Sequence, residues 1–129
     1  MKIVIDGNDG TGKSTIVALL REQGYDVQDR GIPTKMTDNE SVAPQEDEFY
    51  LILDVPVELS RARLAKAGRN LNEKYHTVED LTHYRERFLQ IAQTLPNSVL
   101  VNATGSPDEV LAECLQVINR VLEEEKWHD

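Results

Sequence analysis

The first apolar run of the chain, Ile3-Val4-Ile5, lies between Lys2 and Asp6 and closes on Gly7, the pattern of a β-branched strand buried on both faces. After a glycine-rich turn, Ile16, Val17, Leu19 and Leu20 recur at helical spacing, which predicts a helix from about Lys13 to Gln23 with Gly24 as its stop. Tyr25 to Asp29 predicts a weaker second strand, because Asp26 and Gln28 alternate with Tyr25 and Val27. Arg30 to Asp47 carries Pro33, Pro44 and several acids without a sustained period, so it reads as a long loop with room for one helical turn. Phe49 to Leu53, ended by Asp54, predicts a third buried strand, and Pro56 suits the first turn of a helix that runs to about Ala67 and stops at Gly68. The stretch from Gly68 to His76 is polar and mixed in charge. Thr77 is placed as an N-cap for a helix to about Leu95 whose apolar face is Leu81, Tyr84, Phe88, Ile91 and Ala92, with Pro96 at its end. Ser98 to Asn102 predicts a fourth strand, and Ser106-Pro107-Asp108-Glu109 is a capping box that starts a last helix to about Glu125.

Strands alternating with helices predict a single α/β domain over residues 1–129, a three-layer sandwich around a mostly parallel four-stranded sheet. No apolar run approaches the ~18 residues of a membrane helix, and the first residues lack a signal peptide's apolar core, so a cytoplasmic protein without a membrane partner is expected. The lone cysteine, Cys114, falls among Val110, Leu111, Leu115 and Ile118 at helical spacing, which favours buried packing over catalysis.

Charge narrows the partners. Fourteen Lys and Arg against 23 Asp and Glu give a net charge of −9, a field that repels nucleic acid and anionic membrane while leaving room for a local phosphate site. Glu123, Glu124, Glu125 and Asp129 read as a solvated acidic end.

Gly7-Asn8-Asp9-Gly10-Thr11-Gly12-Lys13-Ser14 matches G-x-x-x-x-G-K-[ST] between a predicted strand and a predicted helix, the context the motif requires. Its glycines let backbone N–H groups turn toward a phosphate, the helix start adds a positive end, Lys13 sets a charge on the outer phosphates and Ser14 offers a hydroxyl to Mg²⁺. Thr15 adds a further phosphate contact. Asp9, Gly10, Thr11, Gly12, Lys13, Ser14 and Thr15 are therefore the candidate ATP-binding residues, in a P-loop NTPase fold with expected strand order 2-1-3-4.

The string Ile5 to Thr15 resembles the thymidylate kinase branch of the P-loop nucleoside monophosphate kinases, and Leu53-Asp54-Val55-Pro56-Val57-Glu58-Leu59-Ser60-Arg61-Ala62-Arg63 is similar to that family's strand and arginine-bearing helix leading to a lid over ATP. The resemblance covers most of the chain, and the helical region that holds the acceptor nucleotide in that family is shortened before Phe49. It implies transfer of the ATP γ-phosphate, with Mg²⁺, to a small phosphorylated acceptor, thymidylate or a modified pyrimidine relative. It also implies an acceptor loop at 30–48, a lid at 68–77 and a homodimer. Asp29-Arg30 looks like the family's Asp-Arg pair, the acid near Mg²⁺ or the acceptor and the arginine on the acceptor phosphate. A second alignment places Arg30-Gly31-Ile32-Pro33-Thr34 on the family's other arginine loop.

Physically, Asp29 and Arg30 end a strand on the edge where α/β sheets bind ligands, although a surface ion pair would use the same residues. Asp54 also ends a strand there, or caps the Pro56 helix. Arg61, Arg63, Lys66, Arg69 and Lys74 form a basic cluster in an acidic chain. It is either a solvated helix face or, through Arg63 and Arg69, a source of cations for charge developing on a transferred phosphoryl group. Lys13, Asp29, Arg30, Arg63 and Arg69 are thus the catalytic candidates, and Ser14 and Asp29 the metal candidates. His76, His83 and His128 lack metal-ligand spacing, and Tyr25, Tyr50, Tyr75 and Trp127 look too scattered to stack a base. Two rivals stand beside the kinase of small nucleotides: a kinase of a base or hydroxyl within nucleic acid, and an ATP-binding module without transfer.

Overall fold

The computed structural model describes residues 1–39 and 41–128, with side chains through Lys126. The sequence expectations for Trp127, His128 and Asp129 lie outside the described side chains. Strand β1 (Lys2–Gly7) leads through the phosphate loop into α1 (Lys13–Glu22), then β2 (Val27–Asp29), α2 (Ile32–Met36), β3 (Glu48–Asp54), α3 (Val57–Lys66), α4 (Val78–Thr94), β4 (Ser98–Asn102) and α5 (Pro107–His128). The sheet has four strands in the order β2-β1-β3-β4, every pair parallel. This is the expected architecture and strand order.

Alternation along the strands sorts the core into two layers, because successive side chains of a strand leave on opposite faces. Ile3 and Ile5 of β1 and Leu51 and Leu53 of β3 join the cluster built with α1 and α5, around Ile16, Leu20, Cys114 and Ile118. Val4, Tyr50 and Ile52 point the other way and meet Ile32, Phe88 and Ile91 of α2 and α4. Coverage on both faces is why these strands are written as continuous apolar runs.

Local chemistry sets the helix boundaries. Thr77 Oγ1 accepts from the Asp80 N–H at 3.1 Å, and Ser106 and Glu109 cap each other reciprocally, Glu109 N–H to Ser106 Oγ at 3.3 Å and Ser106 Oγ to Glu109 Oε1 at 2.9 Å. The inward face of α3 is Ser60 and Leu64, and Pro56 stands at its N-cap, one residue outside the helix, with no side-chain cap.

Two expectations, on β2 and on Asp54, are corrected, and the helical turn expected in the long loop is located. Strand β2 starts at Val27, since Gln28 and Asp29 are exposed and only three residues pair with β1; Tyr25 instead sends its hydroxyl to Asn119 Oδ1 at 2.9 Å. The helical turn in the long loop is α2, and the fully buried Asp6 carboxylate holds its start by accepting from the N–H groups of Gly31 at 3.1 Å and Thr34 at 2.9 Å. Asp54 does not cap α3, because both its oxygens are taken by Arg85, at 2.9 Å from Nε and 3.1 Å from Nη2.

Candidate functional site

The parallel strands all end on one side of the sheet, and the loops that follow β1 and β2 meet there. Between β1 and α1 the chain makes a tight turn that only glycine permits at two points. Gly7 has φ 135°, and a Cβ on it would lie 2.5 Å from the Leu53 carbonyl oxygen; Gly10 has φ 78°, and a Cβ there would lie 2.6 Å from the Ser60 carbonyl oxygen. The phosphate loop is therefore seated directly on the backbones of β3 and α3. Helix α1 has no side-chain N-cap, so its first N–H groups are left for an anion, with the dipole's positive end behind them.

A cleft of ≈ 720 Å³ opens over this loop, within the size range of small-ligand sites. Every candidate drawn from the sequence lines it: Asp9, Gly10, Thr11, Gly12, Lys13, Ser14, Thr15, Asp29, Arg30, Arg63 and Arg69. Lys66 and His76 join them, and Leu64, Ala67, Ala103 and Val110 add an apolar flank.

Lys13 is buried and its ammonium folds onto the loop, donating to the Gly7 carbonyl at 2.7 Å and the Asn8 carbonyl at 3.2 Å. Burial lowers its pKa from the usual lysine value and nearby Arg30 lowers it further, while Asp6, Asp9 and Asp29 oppose them. Arg63 reaches back from α3 to the Thr11 carbonyl at 3.2 Å and the Ala103 carbonyl at 2.8 Å; burial lowers its pKa. It thus ties the phosphate loop to the segment after β4. The basic cluster divides, as helical spacing requires: Arg63 and Lys66 face the cleft, while Arg61 donates to the Leu71 and His76 carbonyls at 3.1 and 2.8 Å and so holds the 68–77 segment.

Asp9 is the junction of three segments. One carboxylate oxygen accepts from Arg30 Nη2 at 3.1 Å, and the other lies 3.3 Å from His76 Nε2. His76 Nδ1 is 3.1 Å from the Asn70 carbonyl oxygen, so a residue with no apparent role in the sequence binds 68–77 to the phosphate loop. Asn8 Nδ2 adds a bond to the Leu81 carbonyl at 2.9 Å.

The aromatic residues are less scattered than their numbers suggest. Tyr75 and Tyr84 have ring centres 5.4 Å apart, His83 packs edge-on to Tyr84 at 4.9 Å, and the Tyr84 hydroxyl donates to Asp38 Oδ1 at 3.0 Å. Burial, with the bond to Asp38 second, pushes the Tyr84 phenol up to about 12. The contacts of His76 and Tyr84, and Arg85 as the partner of Asp54, were what sequence reasoning missed. A signal existed only for Asp54, a carboxylate closing a buried run that must find a donor or a cation.

Ser14 and Asp29 bring a hydroxyl and a carboxylate to the same cleft, hard oxygen donors of the kind Mg²⁺ takes. Among the described residues no group of three or more His, Cys, Asp or Glu is placed to hold a metal.

No family model matches the chain. It is 28% identical over 145 aligned residues to the bifunctional cordycepin biosynthesis cluster protein 3 of Cordyceps militaris, a match to 88% of this chain and 16% of that protein. It is also 28% identical over 75 residues to the probable thymidylate kinase 1 of Saccharolobus solfataricus, covering 58% of this chain and 38% of that one. The chain thus spans well under half the length of these relatives. Among solved structures, deoxyadenosine kinase from M. mycoides with dCMP and dCDP bound superposes with a TM-score of 0.70 at 17% identity, over 94% of this chain and all of that one. The YorR protein of Bacillus subtilis in complex with phosphorylated GDP gives 0.71 at 14% identity, over 97% of this chain and 98% of that one.

Proposed function

We propose that this chain, which has a nucleoside monophosphate kinase-like P-loop fold, is an ATP- and Mg²⁺-dependent phosphotransferase whose acceptor is a deoxynucleoside monophosphate. The observation that carries the proposal is the convergence of Lys13, Ser14, Asp29, Arg30, Arg63 and Arg69 on one cleft above an uncapped helix start. The relatives support a nucleotide phosphotransferase.

In this reading the backbone N–H groups from Gly10 to Ser14 hold the donor phosphates and Lys13 leaves its two carbonyl partners to reach the β- and γ-phosphates. Ser14 and Asp29 would hold Mg²⁺, which would supply charge neutralisation for the donor phosphates. Little covalent chemistry is asked of the side chains; they position the reactants and stabilise charge on the transferred group. Arg30, with its guanidinium half outside the fold, takes the acceptor phosphate, and Arg69 closes with segment 68–77 as a lid. Residues 30–48 form the acceptor loop. The thymidylate expectation rests on a resemblance over most of the chain whose specificity is concentrated in the first fifteen residues, a segment that addresses phosphate and not the base.

A nucleoside rather than its monophosphate is the second reading, favoured by the deoxyadenosine kinase likeness. A transfer onto nucleic acid is opposed by the −9 net charge. The test is a transfer screen with ATP, Mg²⁺ and each deoxynucleoside, each monophosphate and an oligonucleotide. The expected result is a diphosphate from at least one monophosphate, lost by about a hundredfold or more in Lys13→Ala. Tight ATP binding with no transfer to any acceptor overturns the enzyme in favour of a binding module. The homodimer is part of the proposal and is checked by sedimentation.

A further inference from the structure

Two non-glycine residues among those described have positive φ: Arg30 at 65° and Tyr75 at 74°. Left-handed backbone is unfavourable for side chains with a Cβ and survives where the surroundings impose it, often at ligand sites. Arg30 belongs to the site already described. Tyr75 is pinned from both sides, its own N–H donating to Asp80 Oδ2 at 2.9 Å and its neighbour His76 bound to Asp9. The side chain so presented is 41% exposed, an expensive arrangement for a large aromatic ring that does nothing.

The ring stands in a composite wall. Tyr84 lies 5.4 Å away, one helical turn beyond Leu81, whose carbonyl holds Asn8 of the phosphate loop. The Lys74 ammonium sits over the Tyr75 ring, 5.0 Å from its centre, a flexible cation on a π-face. At the far edge of Tyr84 is Asp38, in the segment following α2, which accepts the phenol at one oxygen. The wall therefore joins the 68–77 segment, α4 and the segment after α2, beside the His76–Asp9 contact at the rim of the cleft.

We propose that Tyr75 and Tyr84 are the stacking surface for the acceptor's base and that Asp38 reads its edge, selecting bases with an exocyclic amino group. This rests on the kinase reading above. A carboxylate only accepts hydrogen bonds, so it pairs with the amino groups of guanine, cytosine and adenine and meets unfavourable carbonyl oxygens on either side of the single N–H of thymine. A base on the aromatic wall brings its edge to Asp38 because the Tyr84 hydroxyl already touches that carboxylate.

The test is calorimetric titration of the full chain with dGMP, dCMP, dAMP and dTMP in the presence of a non-hydrolysable ATP analogue, with transfer assayed in parallel. Tyr75→Ala weakens acceptor binding about fivefold or more, a larger loss than any in affinity for the ATP analogue, whose phosphates are held by residues 10–14. In the wild type dTMP binds about tenfold or more weaker than the best amino-bearing monophosphate, and Asp38→Asn, which keeps an acceptor for Tyr84 and adds a donor, narrows that margin. Unchanged acceptor affinity in Tyr75→Ala, or a base margin absent from the wild type or untouched in Asp38→Asn, overturns the inference while Lys13-dependent transfer leaves the kinase reading standing. Binding of the ATP analogue with no monophosphate bound at all overturns both.

Discussion

His76 Nε2 lies 3.3 Å from the Asp9 carboxylate, which makes one side-chain contact the hinge pin between the phosphate loop and residues 68–77. The histidine is buried and the acid is half-buried, so the pair is poorly solvated and worth more than an exposed bridge. Hydrogen exchange of residues 68–76 in His76→Ala is expected to rise about tenfold, corresponding to ~1.4 kcal/mol of local stability, with the sheet amides unchanged. Unchanged exchange in that segment defeats the assignment.

Gly10→Ala tests the seat of the phosphate loop. The added Cβ meets backbone at 2.6 Å, and φ 78° is left-handed, so the loop must lift from α3. A stability loss of about 2 kcal/mol or more and a large drop in ATP affinity are expected by urea denaturation and nucleotide titration. Gly24→Ala makes a control: it shares a positive φ of 90° but meets nothing within 4 Å, so it strains the chain without touching nucleotide binding.

Asp54 and Arg85 form a two-pronged pair whose members are 19% and 33% exposed. The bond to Asp54 raises the Arg85 pKa, which keeps the guanidinium charged throughout any practical range. Removing either partner leaves a half-buried charge or acceptor, and Asp54→Asn and Arg85→Met should each cost about 1–2 kcal/mol. A double-mutant cycle is expected to show coupling of about 1 kcal/mol; additive losses would mean the pair is merely surface decoration.

Cys114 is fully buried, and burial pushes its thiol up to about 12 from 9.0. The folded state therefore keeps the proton longer than the unfolded state. Its contribution is fully present below the unfolded thiol value and is lost between about 9 and about 12, at up to ~1.4 kcal/mol per pH unit. Wild-type stability should fall more steeply than that of Cys114→Ala over the accessible part of this window, and the native thiol should resist a thiol reagent at neutral pH until the chain is unfolded. Parallel pH slopes would contradict the burial.

How much of this was legible beforehand differs by the kind of interaction. Ile3 to Ile5, Phe49 to Leu53 and the repeat at Ile16, Val17 and Leu20 announced strands and a helix because burial of apolar side chains follows a local period. Thr77 and Ser106 announced helix starts because caps act within three residues. The phosphate loop was readable for the same reason, since its chemistry lies in consecutive backbone groups shaped by glycine. The edge strand β2 was overextended, because Tyr25 and Val27 alternate like a strand while only three residues find a partner.

Pairs formed across the fold left no such trace. Asp9 with His76, Asp54 with Arg85, and Tyr75 with Tyr84 and Asp38 are brought together by the order of the strands and the return of α4 beneath them. From the sequence came the periodicities and the loop that cradles phosphate, both set by neighbours along the chain. Tertiary structure alone decided which distant charges and rings meet, because hydrogen bonds and ring contacts depend on separation in space and a linear pattern encodes only separation in sequence.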